Sequence, residues 1–152
     1  MTRRLFCAWL VWALLGGLSR ADDDPTAKEL AKLEGTWTVV KMEINGKSLL
    51  EKGKPEPKLL IKDGKVTSDT KEAPLGGAEL AKVFDPSKKP KTVTVALEGS
   101  VKFYGIYEVD GDELRICGDG VDTAQEKNPE GRRPKEFDSN KGLLIVYKRD
   151  KK

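Results

Sequence analysis

The sequence predicts an all-β fold, a sandwich or an up-and-down barrel of eight antiparallel strands, with one short helix at its start. Three observations carry that expectation. Stretches rich in β-branched and aromatic residues recur along the chain at short intervals. Asn45-Gly46, Asp63-Gly64 and Asp110-Gly111 lie between such stretches, and these pairs accept the positive φ that tight hairpins need. No segment supplies the helical crossover that parallel strands require.

Residues 1–21 read as an export signal rather than as part of the fold. Thr2-Arg3-Arg4 makes a positive start, Leu5 to Leu15 is an unbroken apolar run, and Ser19-Arg20-Ala21 places small residues at a cleavage site before Asp22. The apolar run is shorter than the ~20 residues of a membrane-crossing helix, so no stable membrane span is expected once the signal is removed. The paired arginines also resemble the start of a twin-arginine signal, but their position at the extreme N-terminus and the Leu/Trp-rich run suit the general secretory route better. Cys7 stands at the front of the run rather than at the cleavage point, which argues against a lipid anchor. Residues 22–152 are then expected to form one domain, exported to the periplasm or beyond.

Asp24-Pro25-Thr26 with Glu29 predicts a helix over about 26–33, Thr26 and Glu29 spaced as a capping box, Leu30 and Leu33 on one face, and Gly35 as the stop. Thr36–Ile44 is the first strand. Lys58–Lys62 and Lys65–Asp69 flank Asp63-Gly64, and Tyr104–Val109 and Asp112–Cys117 flank Asp110-Gly111. Leu80–Phe84, Thr92–Leu97 and Leu143–Arg149 complete the eight. The segments around Pro55, Pro57 and Pro74-Leu75-Gly76-Gly77 read as turns or loops. Gly118–Glu136 is the longest irregular stretch, polar and proline-containing, either a lid or a segment disordered at its centre, and its composition favours the latter.

Composition excludes several function classes. The precursor carries 28 Lys+Arg against 25 Asp+Glu, and the signal holds three of those cations, Arg3, Arg4 and Arg20, with no acid beside them. The remainder is formally neutral, which gives no support to nucleic-acid binding. Cys7 leaves with the signal, so Cys117 has no intramolecular partner for a disulfide, and its place in a strand-like run favours a buried, inert thiol. With no histidine in the chain, imidazole-based nucleophile pairs and nearly all zinc sites are excluded. No Gly-x-Ser-x-Gly elbow or phosphate-cradling glycine loop occurs. Carboxylates remain. Asp110, Asp112 and Glu113 cluster at one hairpin, and Asp119 and Asp122 follow, as a glycoside-cleaving pair or a Ca²⁺ site would need, although hairpin acids usually form turns. No cofactor, metal or catalytic residue is assigned.

Two resemblances narrow the fold. Gly35-Thr36-Trp37, opening the first strand after a short helix, resembles the Gly-x-Trp signature of lipocalins, in which the tryptophan plugs the closed end of a barrel under a basic side chain from the last strand. That resemblance implies Trp37 as plug and Arg149, or less favourably Lys148, as its cover. Over nearly all of 33–149, the runs Leu33–Trp37, Asp85–Lys91, Gly105–Cys117 and Arg133–Phe137 together resemble an uncharacterised bacterial family of small exported lipocalin-like domains. The resemblance implies an eight-stranded up-and-down barrel and transfers no activity.

Within such a barrel, alternation sends Phe103, Gly105, Tyr107 and Val109 to one face and Tyr104 and Ile106 to the other. Gly105 leaves room for a bound molecule or for a bulky neighbour, and packing is favoured. Arg132 and Arg133, near the mouth, would clamp a carboxylate or phosphate unless they are ordinary solvated charges. The expected function is an exported module binding a small apolar ligand. The alternatives are a structural or protein-interaction domain of the cell envelope and, least favoured, a carboxylate hydrolase.

Overall fold

The computed structural model describes residues 24–68, 76–97 and 99–151, so residues 1–21, where an export signal is expected, lie outside the described residues. What is described is a β-barrel-like, all-β fold in which one antiparallel sheet curls into a half-barrel. Its strands are β1 (Gly35–Ile44), β2 (Lys47–Ser48), β3 (Lys58–Lys62), β4 (Lys65–Ser68), β5 (Gly76–Glu79), β6 (Phe84–Asp85), β7 (Thr92–Ala96), β8 (Val101–Asp110), β9 (Glu113–Asp122) and β10 (Leu143–Arg149). The ladder runs β5-β4-β3-β1-β10-β9-β8-β7-β6, with β2 added to β1 alone. The first and last long strands therefore pair, while β5 and β6 are its two edges. A single helical turn, α2 (Leu80–Val83), joins those edges.

That turn corrects the expected strand at Leu80–Phe84. Leu80, Val83 and Phe84 are spaced i, i+3, i+4, a helical pattern, and all three are buried. Over so few residues the period of 3.6 is hard to tell from one of 2. The expected turn at 74–77 is corrected in part: Gly76 and Gly77 belong to β5, while Pro74, Leu75 and the proposed strand end at Asp69 lie outside the described residues.

The N-terminal helix, α1, covers Pro25–Ala31, and its cap is Asp24 rather than Thr26. Asp24 Oδ1 accepts from the Thr26 backbone N–H at 2.9 Å. Glu29 reaches away from the cap to Lys32 and Lys91, both at 2.5 Å, and ties the helix to the segment before β7. Those two hydrogen-bonded lysines, Lys32 first, hold the Glu29 carboxyl below its ordinary range. Seven residues make a helix too short to persist alone, so docking holds it: Leu33 is fully buried and Leu30 packs against the core.

The Asp63-Gly64 hairpin forms as expected, with φ of 52° and 71°. In β1, a register shift between Val39 and Lys41 inserts one extra residue. Trp37 and Val39 face inward before it and Met42 pairs with inward Ile145 after it, while Val40 is left 43% exposed. Inside the curl lie Trp37, Leu59, Ile61, Val66, Tyr107, Leu114 and Ile116, capped by the α2 residues Leu80 and Val83. Phe84 meets Tyr107 edge-on, with ring centroids 4.9 Å apart.

The 118–136 stretch departs most from expectation. β9 continues to Asp122, and the remainder is pinned in place. Asp122 accepts from Ser100, from the Ala124 N–H and from Gln125, and a 3-10 helix at Pro129–Arg132 is capped by Asn128. The segment then lies over the outer face of β8 and β9, where Tyr104, Ile106, Cys117 and Val121 are buried without belonging to the inner core. Pro134 is buried there, Arg115 stacks on Phe137 at 5.2 Å, and Cys117 Sγ donates to the Asp138 carbonyl at 3.5 Å.

Candidate functional site

The two ends of the inward-facing stripe of β1 and β10 differ. At one end Trp37 has no exposed surface, and its indole N–H donates to the Leu33 carbonyl at 2.7 Å. The Arg149 guanidinium lies 4.1 Å from the ring centroid, a cation–π contact. The same guanidinium donates to the Lys32 carbonyl at 2.6 Å and to the Glu34 carbonyl, satisfying two acceptors where the chain leaves α1. Gly35 makes this close approach feasible. Its φ is +136°, and a Cβ there would stand 2.7 Å from an Arg149 nitrogen. Sequence neighbours Lys32–Trp37 and the last strand thus make one plug.

The other end is hollow. A cavity of about 590 Å³ opens along the inner face, walled by Val39, Met42, Leu59, Leu143, Ile145 and Tyr147, and roofed by the loop of residues 49–57. Ser68 and Lys58 stand at its edge. Its size falls within the ~300–1,000 Å³ of small-molecule sites, and aliphatic side chains make most of its wall. The roof brings the charged residues Glu51, Lys52, Lys54 and Glu56, and on the sheet side the Tyr147 hydroxyl stands among the apolar side chains, making no hydrogen bond to a described residue. Burial pushes its pKa up to about 12, because the phenolate would be charged where water is scarce. The phenol is therefore a neutral donor at any physiological pH.

The residues singled out in the sequence are dispersed around this cavity rather than gathered in it. Trp37 and Arg149 meet, as described. Phe103 and Tyr107 point to the inner face with the core, away from the cavity lining. Gly105 is not vacant space: a Cβ there would come within 2.7 Å of Phe103 Cε1 and 2.8 Å of the Cys117 carbonyl oxygen, so the ring of Phe103 occupies the room that the glycine leaves. Arg133 is a strut, not an anion clamp. Its side chain is 11% exposed, and it donates to the Val93 carbonyl at 2.7 Å, to the Gly105 carbonyl, to Thr94 Oγ1 at 2.9 Å and to Glu130, with Tyr104 stacked 5.3 Å away. Arg132 is an exposed charge facing Asp119 at 3.4 Å.

The acids also separate. Asp112 and Glu113 pair with Arg149 and with Lys148 and Arg115 at one end of β9, whereas Asp119 and Asp122 belong to the other, and Asp122 stands roughly 30 Å from Glu113 at ~3.3 Å per strand residue. Asp110, Asp112 and Glu113 stay together at the β8–β9 hairpin, and Asp119 and Asp122 do not join them. Among the described residues no group of three or more His, Cys, Asp or Glu side chains is gathered as a metal site would need. Burial raises the Cys117 thiol, leaving it a poor nucleophile. Among the described residues no helix is long and apolar enough to cross a membrane.

Met42, Ile145 and Tyr147 were not foreseen as lining residues. Alternation back from Arg149 identifies Tyr147, Ile145 and Leu143 as sharing its face, a signal present in the sequence. Met42 has no such signal, because strict alternation from Trp37 would turn Lys41 inward and only the bulge at Val40 reverses it. No protein-family model matches this chain, and no curated protein or solved structure is significantly similar to it.

Proposed function

We infer that this chain is an exported, lipocalin-like module that holds a small, partly apolar molecule in the cavity at the open end of its curled sheet. The observation that carries the reading is the hollow of about 590 Å³ walled on its sheet side by apolar side chains, with a phenol inside it that has no hydrogen bond to a described residue. Burying an apolar ligand there contributes about 25 cal/mol for each Å² removed from water, and Tyr147 fixes its orientation through one hydrogen bond. The barrel part of the reading is supported by the ladder order. Leaving aside the two-residue strands β2 and β6, eight strands follow one another in sequence, and β1 returns to β10. The export part rests on the charged start and apolar run of residues 1–21.

Extraction of the native protein with organic solvent, followed by mass spectrometry, tests the binding reading. A stoichiometric small molecule, lost when Ile145→Trp fills the hollow, is the expected result. Its absence, with the apolar probe 1-anilinonaphthalene-8-sulfonate binding wild type and Ile145→Trp alike, would sink the proposal. Recovery of a protein partner in place of a small molecule would favour an interaction domain of the cell envelope instead. N-terminal sequencing of protein recovered outside the cytoplasm is expected to begin at Asp22.

A further inference from the structure

A second concavity, of about 690 Å³, lies on the outer surface on the side of the sheet's β6 edge, and its chemistry is opposite to that of the apolar hollow. Two segments distant in sequence build it: 81–94, which includes Asp85-Pro86-Ser87-Lys88-Lys89-Pro90, and Glu130 with Arg133-Pro134-Lys135. Arg133 welds them together, since it donates to Val93 and Thr94 from one segment while bonded to Glu130 of the other. Its side chain, held by those bonds and only 11% exposed, makes the groove a preformed surface rather than a chance meeting of loops.

The groove is cationic in a chain whose residues 22–152 are formally neutral. Lys82, Lys88, Lys89, Lys135 and Arg133 face only Asp85 and Glu130. Lys82 pairs with Glu79 at 3.0 Å and Arg133 with Glu130, but Lys88, Lys89 and Lys135 are exposed and make no ion pair with a described residue. Three ammonium groups outside any such ion pair, of which Lys88 feels the charge of Asp85, surround one concavity and focus a positive field there.

We propose that this groove binds an anionic polysaccharide, its sulfate or carboxylate groups held by Lys88, Lys89 and Lys135 and its hydroxyls by Asp85 and Glu130. The acids distinguish a saccharide from other polyanions. Asp85 engages Ser87 through one carboxylate oxygen, and Glu130 engages Arg133 through one, so each keeps a second oxygen as an acceptor. Sugar hydroxyls donate to such acceptors. Polyphosphate has no hydroxyl groups along its chain and would meet only repulsion there. No aromatic side chain lines the groove, so a single-stranded nucleic acid would find nothing on which to stack its bases.

Fluorescence anisotropy of the full processed chain tests this with four labelled probes: a heparin oligosaccharide, an oligogalacturonate, inorganic polyphosphate and neutral dextran. Both acidic saccharides are expected to bind, weakening with salt, and to bind more tightly than polyphosphate, while dextran does not bind. The combined variant Lys88→Gln, Lys89→Gln, Lys135→Gln is expected to lose roughly tenfold or more in affinity and to flatten the salt dependence by about two to three ion equivalents. Lys47→Gln, Lys62→Gln, Lys65→Gln removes equal charge from exposed positions outside the groove and is expected to change affinity less than about twofold. Equal losses in the two variants, polyphosphate binding as tight as the saccharides, or no binding of either saccharide would each overturn the proposal. An unchanged melting temperature for the groove variant shows that a loss is not one of folding, and Lys135→Glu alone is expected to weaken binding further than Lys135→Gln.

Discussion

The plugged end and the open end of this half-barrel are lined by the same two strands, yet they are stabilised in opposite ways. At the Trp37 end the polar groups of the plug are partnered: the indole N–H reaches Leu33, the ring meets the Arg149 guanidinium, and that guanidinium donates to the carbonyls of Lys32 and Glu34 at the helix exit. At the Tyr147 end the inward atoms line a hollow, and a phenol is left without a hydrogen bond to a described residue. A filled end adds stability through close packing. An end left unfilled forgoes that contribution and retains room for a ligand.

Substitutions at the two ends should separate them. Trp37→Ala is expected to cost about 3–5 kcal/mol in urea unfolding, since it opens a cavity in a closed site and strands the Leu33 carbonyl. A loss under about 1 kcal/mol would erase the contrast. Arg149→Ala should cost about 2–3 kcal/mol by the same measurement, combining the cation–π contact with two charge-assisted bonds to carbonyls, and Arg149→Lys should recover only part because it lacks the planar fork. Ile145→Ala, beside the hollow, should cost about 1 kcal/mol, below the usual range for a buried aliphatic, because one side of that residue faces empty volume.

The smallest effect at neutral pH sharpens the comparison through its pH dependence. Tyr147→Phe should change stability by less than about 0.5 kcal/mol at pH 7. Its folded-state pKa is raised from near 10 to about 12, so the unfolded chain releases the proton first as pH rises. Wild-type stability from this group is therefore intact below pH 10 and declines between pH 10 and about 12, and Tyr147→Phe should remove that part of the alkaline slope in denaturant titrations. The acid limb has the reverse sign. Asp150, hydrogen-bonded by Lys58 and Thr38, and Glu29, held by Lys32 and Lys91, have lowered pKa values. Their contribution is present above the ordinary carboxylate range and is lost as pH falls through the depressed values.

Legibility followed interaction range. Asp63-Gly64 and Asp110-Gly111 announced their hairpins because turn geometry depends on two residues. The helix was legible in place though not in its cap, since Asp24 and Thr26 are both competent N-caps and Glu29 was drawn instead to Lys91, which is 62 positions away. The turn at Leu80–Val83 was misread because four residues carry too little periodicity. Polar composition suggested disorder after Gly118, and the missing term was Arg133, which donates three hydrogen bonds to strands that no local window contains.

By itself the sequence determined the β character, the tight turns, the face shared by Phe103, Gly105 and Tyr107, and the absence of imidazole chemistry, all of which follow from residue type and a period of two. Only the tertiary structure decided that Gly105 is filled by Phe103, that the bulge at Val40 brings Met42 inward, that Arg133 is a strut, and that β5 and β6 stay unpaired across α2. Each of those outcomes depends on which distant side chain reaches a given volume first, and close packing allows that volume to be occupied once.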